Sequence, residues 1–155
     1  MPTQVRPIGT IRTPFATKGD TPIQGAFHPE NAGIVEVAPE FAEGLSDIDG
    51  FSHLILLYEF DQAAPVEMVR PTFLSDEPHG IFATRHPARP NPIGLTVVTL
   101  LGREGTALAV GGVDMLDGTP LLDIKPYIGR FDCFPDASEG WFAGREDRPK
   151  PPGRE

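Results

Sequence analysis

The chain has 155 residues, of which 18 are proline and 17 glycine, close to a quarter of the whole. Each proline removes a backbone donor and each glycine weakens a helix interior, so this composition excludes a bundle of long helices and favours short strands and many turns. The net charge of −9 argues against holding nucleic acid, DNA above all, through the field of the whole molecule. With 39% hydrophobic residues, the length suits one sizeable core and hence one domain.

The charge is uneven. Residues 19–69 hold ten acidic and no basic residues, while the rest of the chain holds 13 basic and 12 acidic ones. A local basic site built from Arg85, Arg89, Lys125 and Arg130 is compatible with that average; a solvated acidic face is the plain alternative. Cys133 is the single cysteine, which rules out an internal disulfide and favours a reducing compartment. The N-terminus lacks an apolar signal region and no run of about 18 apolar residues occurs, so the chain reads as cytoplasmic with no membrane partner.

In chain order, alternating apolar runs predict strands at 5–11, 33–37, 53–60, 66–73, 80–84, 95–102, 107–114 and 121–128. A short helix is expected at 39–45, where Pro39 suits the first turn and Gly44 helps to end it. Glu104-Gly105 and Asp117-Gly118 each read as a hairpin turn, which makes the strands they join antiparallel neighbours. Tight turns leave no room for crossover helices, so the fold is a sandwich or barrel rather than a doubly wound parallel sheet. Residues 145–155, rich in charge and proline, are expected to form a mobile tail after a domain at 1–144.

Three segments carry candidate chemistry. In GIFATRHPARPNPIGLTVV (80–98), Pro87, Pro90 and Pro92 make a stiff extended loop that presents Arg85, His86, Arg89 and Asn91. Stiffness suits a guanidinium that must meet a carboxylate or phosphate in a forked geometry; a rigid connection with solvated arginines is the alternative. In VDMLDGTPLLDIKPYI (113–128), the acids Asp114, Asp117 and Asp123 lack metal-binding spacing, and no metal site is expected. Period 2 places Leu121, Asp123, Lys125 and Tyr127 on one face of the last strand, opposite Leu122, Ile124 and Pro126. The third segment, GFSHLILLYEF (50–60), pairs Ser52 with His53 as a hydrogen-bonded strand end rather than a catalyst.

The blocks PIGTIRTPF (7–15), TPIQG (21–25), GFSHLILLYEF (50–60), FATRHPARPNPIGL (82–95) and DGTPLLDIKPYI (117–128) resemble, in order, those of the TrmO/TsaA-like family. Members are S-adenosylmethionine-dependent methyltransferases, the best known of which methylate N6 of threonylcarbamoyladenosine beside the anticodon of tRNA. The resemblance implies a mainly β fold, a small antiparallel β-barrel with one or two short helices, assembled as a homodimer. It implies cofactor contacts from Gln24, Gly25, Ala26, Asp61, Gln62, Arg85, Leu95, Gly111, Gly112, Val113 and Asp114. In chemical terms, Arg85 suits the cofactor's carboxylate, and Asp114 or Asp61 its ammonium or ribose hydroxyls.

Arg89, Asn91, Lys125 and Tyr127 are assigned to substrate binding or to shaping the site. Asp123, with His86 second, is the candidate base for the N6 proton. The chain departs from the tRNA enzymes in reading PIQGA where they commonly read PRQPG and in carrying Asp61 where they tend to have His, and the C-terminal domain into which the longer relatives continue is not expected after the short charged tail. A small-molecule acceptor, or a binding module without turnover, therefore stands beside the tRNA reading.

Overall fold

The structure is a computed structural model that describes residues 2–22 and 28–145. Among the described residues eight strands form, β1 (Gly9–Arg12), β2 (Ala32–Val37), β3 (His53–Glu59), β4 (Val69–Thr72), β5 (Ser75–Gly80), β6 (Ile93–Glu104), β7 (Ala107–Gly111) and β8 (Thr119–Pro126). The chain divides into two compact units, Met1–Gln62 with Ile93–Tyr127, and Ala63–Pro92 with Ile128–Glu155. The expected tail at 145–155 lies, from residue 146 on, outside the described residues.

The first unit is a closed barrel of antiparallel strands in the order β1-β2-β7-β6-β3-β8. Strict alternation explains it: β2 and β3 bury every second residue, so one face of each fills the interior. Ile11, Val35, Leu54, Leu56, Leu108, Val110 and Leu121 are fully buried there. Closure leaves no edge strand to pair with another chain. Two long strands each serve two neighbours. β6 pairs with β3 up to Thr99 and with β7 from Thr99 onward, and its register shifts between Leu100 and Gly102. β8 pairs with β1 through its first half and with β3 through its second.

The β8 register corrects the expected side-chain face. Tyr58 pairs with Leu121 and Leu57 with Asp123, so Leu122 is an extra residue in the ladder and the inward parity changes there. Leu121 is buried and Ile124 packs on the same core, while Asp123 and Lys125 turn outward; Leu121 and Asp123 do not share a face.

The Glu104-Gly105 hairpin forms between β6 and β7, with Gly105 at φ +62°. At Asp117-Gly118 a turn forms, with Gly118 at φ +83°, but β7 and β8 are not neighbours. The turn instead fastens onto β1 and its extension: Gly118 N–H donates to Ile11 O (2.9 Å), Asp117 N–H to Phe15 O (2.8 Å), and Asp117 Oδ1 accepts from Thr13 N–H (3.0 Å). The expected helix at 39–45 is a 3-10 helix with the same limits, Pro39–Leu45.

The second unit holds the β4-β5 hairpin, a 3-10 turn at Ile81–Ala83, the loop that follows it, and the short helix α1 (Gly129–Asp132). Pro71 faces Pro78 across the hairpin, a pairing that a two-stranded ribbon tolerates because both of its strands are edges, where a missing N–H on the outer side breaks no ladder bond. The strand expected at 80–84 is not formed. Thr84 folds back instead, its N–H (3.1 Å) and hydroxyl (2.9 Å) both donating to Ile81 O and closing a turn. Among the described residues no helix is long and apolar enough to cross a membrane.

Leu108 is completely buried in the barrel core. Leu108→Ala should therefore lower the free energy of unfolding by about 2–5 kcal/mol. Denaturant unfolding monitored by fluorescence and circular dichroism checks this; a loss below about 1 kcal/mol contradicts the assigned core, since surface substitutions fall in that range.

Candidate functional site

In the barrel unit the candidate residues follow the end of β7. Gly112 and Val113 both donate their N–H to Asn31 O, at 2.7 and 3.2 Å, and Gly112 takes φ +88°. A Cβ at Gly111 would stand 2.9 Å from Pro29 O, so the chain's own packing demands glycine there. Gly111, Gly112 and Val113 are all buried, and the N–H groups of the last two are taken by Asn31 O.

The turn delivers Asp114 to two hydroxyls. Thr96 donates to Asp114 Oδ1 at 2.6 Å and Tyr58 OH at 3.2 Å, and the two hydroxyl oxygens lie 2.7 Å apart. Tyr58 and Thr96 are diagonal neighbours on the inner face of β3 and β6, because Leu56 pairs with Thr96 and Tyr58 with Gly94. Both are buried, so a fixed polar floor orients a half-buried carboxylate. Each hydroxyl has a single proton, so the three contacts share two protons and the carboxylate is the common acceptor.

The other acids have separate roles. Asp117 holds the Thr13 amide. Asp123 Oδ2 pairs with Lys125 Nζ at 3.0 Å, and its Oδ1 accepts the Ile124 N–H at 2.9 Å. Both partners of that ion pair are about half exposed, so it contributes little to stability. Asp123 also borders a cavity of about 310 Å³ at one end of the barrel, lined chiefly by Phe41, Leu45, Ile48, Phe51 and Ile124.

Asp61 and Gln62 stand on an exposed turn beyond β3, and Leu95 faces outward on β6 opposite Leu57. Tyr127 N–H bonds His53 O at 3.1 Å, and its ring meets the His53 ring edge-on; Ser52 Oγ lies 2.8 Å from His53 Nδ1. Gln24, Gly25 and Ala26 lie outside the described residues.

In the second unit one loop presents Arg85, His86, Arg89 and Asn91. Arg85 and Asn91 are exposed. Arg89 bends back, its Nη1 donating to Thr84 O (2.8 Å) and His86 O (3.2 Å), so its guanidinium shapes the loop. His86 Nδ1 accepts the Ala88 N–H at 3.1 Å, which places the neutral ring's proton on Nε2 and occupies the nitrogen a general base would use. Trp141 braces the same loop from far along the chain: its Nε1–H donates to Ala83 O (2.8 Å), and its ring stacks on His79 with centroids 4.0 Å apart.

Trp141, Tyr58 and Thr96 were not singled out from the sequence. Tyr58 continues the inward period of Leu54 and Leu56 as a lone hydroxyl in an apolar run, a signal that a polar partner must face it. Nothing local to Trp141 announces a bond to Ala83.

Residues 10–133 match the tRNA-methyltransferase O N-terminal domain. The chain belongs to this family. A probable S-adenosyl-L-methionine-binding protein of Pyrococcus abyssi is 52% identical to this TrmO-family chain over 137 residues, covering 88% of the chain and 74% of the relative. A mouse tRNA (adenine(37)-N6)-methyltransferase is 37% identical over 133 residues, covering 81% of the chain but 31% of the mouse protein. A crystal structure of TrmO superposes with a TM-score of 0.79 at 43% identity, covering 90% of the chain and 64% of that one. The chain thus spans less than two thirds of the solved TrmO protein.

The Trp141 bond to Ala83 is the brace that links the C-terminal segment to the arginine-bearing turn. Trp141→Phe keeps an aromatic ring but removes the N–H, and should cost about 0.5–1.5 kcal/mol. Hydrogen exchange should show faster loss of protection at Thr84 with barrel amides unaffected; unchanged exchange at Thr84 contradicts the brace.

Proposed function

We propose that this TrmO-family chain is an S-adenosylmethionine-dependent methyltransferase whose acceptor is N6 of an adenine in tRNA, taken in its threonylcarbamoylated form beside the anticodon. The observation that carries the reading is the family match over residues 10–133, which runs through every segment bearing the candidate residues. The names of the archaeal and mouse relatives support the cofactor and the tRNA adenine acceptor respectively. We further assign a cytoplasmic homodimer, on the family resemblance and the reducing-compartment reading of the lone Cys133.

The residues present fit the cofactor's chemistry. An exposed guanidinium on a proline-stiffened loop, Arg85, suits the carboxylate of the methionyl group. Asp114, oriented by Tyr58 and Thr96, is a preset anionic acceptor for an ammonium or a ribose diol, with Asp61 as the other acid in that role. Backbone from Gly111 to Val113, the Gln24 to Ala26 segment, Gln62 and the outward-facing Leu95 complete the assignment.

The cofactor supplies a methyl group on a sulfonium, and transfer asks the protein mainly for in-line positioning. The carbamoyl substituent eases loss of the N6 proton, so one acceptor suffices. Asp123 takes that role in preference to His86: its carboxylate keeps lone pairs beside its contacts with Lys125 and Ile124 N–H, whereas the single accepting nitrogen of the neutral His86 ring is already taken by Ala88 N–H. Lys125 holds Asp123, Arg89 shapes the loop, and Asn91 and Tyr127 are assigned to the acceptor. A small-molecule acceptor is the second reading, favoured by the acidity of the barrel unit, which carries 13 acidic and 5 basic residues.

Calorimetry with S-adenosylmethionine and S-adenosylhomocysteine tests the cofactor assignment. Arg85→Ala should weaken binding on the order of tenfold or more, the loss expected for a charge-assisted bond. Thr96→Val, which leaves the Asp114 carboxyl in place but removes a donor that orients it, should weaken binding less than Asp114→Asn. Absence of binding at millimolar ligand overturns the proposal; unchanged affinity in Arg85→Ala removes that residue from it.

A further inference from the structure

We infer that Phe82 is a stacking platform for an unpaired base of the RNA acceptor, an inference that rests on the tRNA reading above. Phe82 is 72% exposed, although its neighbour Ile81 is 1% exposed. The turn is thus anchored by one apolar side chain while it holds the next one out in water. Four hydrogen bonds fix this three-residue turn: Ile81 N–H to Met68 O, the Thr84 N–H and hydroxyl to Ile81 O, and Trp141 Nε1–H to Ala83 O. A ring presented on so fixed a turn loses little freedom when a ligand docks.

Charge selects the occupant. The barrel unit carries 5 basic and 13 acidic residues, a net −8, whereas the unit bearing Phe82 carries 8 basic and 9 acidic ones, a net −1. A polyanion is repelled less by the second unit than by the first, so the second is the better placed of the two to add affinity for RNA. The exposed Arg85 follows Phe82 by three residues, within about 10 Å by chain length alone. With Arg85 assigned to the cofactor's carboxylate, a base stacked on Phe82 is held close to the cofactor, and an exposed aromatic ring is the feature on which single-stranded nucleic acid stacks its bases. Because every base offers a π-face, Phe82 adds affinity without choosing the base. Two further exposed apolar residues lie where the chain enters the strand paired with this stretch: Met68, whose carbonyl accepts the Ile81 N–H, and Val69, which pairs with Gly80.

The test uses the full chain and a fluorescein-labelled tRNA anticodon stem-loop, with binding followed by polarisation across a salt series. Phe82→Ala should weaken binding on the order of tenfold at every salt concentration, since stacking and not charge is lost. The slope of log K against log salt should therefore stay that of the wild type. Phe82→Trp should bind at least as tightly as wild type, affinity for S-adenosylmethionine should be unchanged in both variants, and light scattering should give an unchanged mass. Wild-type binding by Phe82→Ala overturns the inference while leaving tRNA methylation standing. A changed mass overturns it too, assigning Phe82 to contact with a second copy of the chain. If the wild type neither binds the stem-loop nor methylates any RNA, the tRNA reading and this inference fall together.

Discussion

Barrel closure through two long strands, each shared between two neighbours, is the constraint on which the rest depends. β6 hands over from β3 to β7 at Thr99, and β8 hands over from β1 to β3 at Leu121. Each carries a register shift near the handover, and an extra residue in a ladder bends and twists the strand locally. Both long strands thereby change neighbours part-way along while the barrel stays closed. The same register decides which side chains look inward. A slip of one residue between β3 and β6 would leave Tyr58 and Thr96 on opposite faces, and the Asp114 carboxylate would lose one of its two hydroxyl donors. The chemistry at the end of β7 is therefore a consequence of strand pairing elsewhere.

The two units divide the physical work. The barrel buries the aliphatic core, concentrates the negative charge and orients Asp114. The second unit keeps few apolar side chains inside, Leu74, Ile81 and Ala88 among them, and relies on hydrogen bonds to hold its loop. Arg89 ties down carbonyls within the loop, and Trp141 ties down the turn before it. A loop held this way presents Arg85 and Phe82 in defined positions without a large core beneath them.

Much of the fold is legible in the sequence where the alternation is clean. β2 and β3 fall within a residue of their expected limits because each buries every second side chain, and Pro39–Leu45 is delimited by its own proline and glycine. Legibility fails where a contact distant in sequence, or a side chain, overrides the local pattern. Thr84 turns 80–84 into a closed turn by bonding Ile81 O. Asp117-Gly118 has the composition of a hairpin turn, yet its donors and acceptors go to β1. In β8 the adjacent Leu121 and Leu122 are both apolar, so the pattern gives no sign that Leu122 is the extra residue in the ladder.

For the site, the motif-bearing segments locate the loops, whereas the partners that orient Asp114 depend on cross-strand register and could not be read along the chain. Methyl transfer to adenine N6 in tRNA is the central claim, and it is tested most directly by incubating the purified chain with tRNA and S-adenosylmethionine labelled in the methyl group. The tRNA is then digested and its nucleosides separated by mass spectrometry. The account predicts label on N6-modified adenosine, concentrated in the threonylcarbamoyl derivative. Label absent from every tRNA nucleoside but present in a metabolite fraction would contradict it.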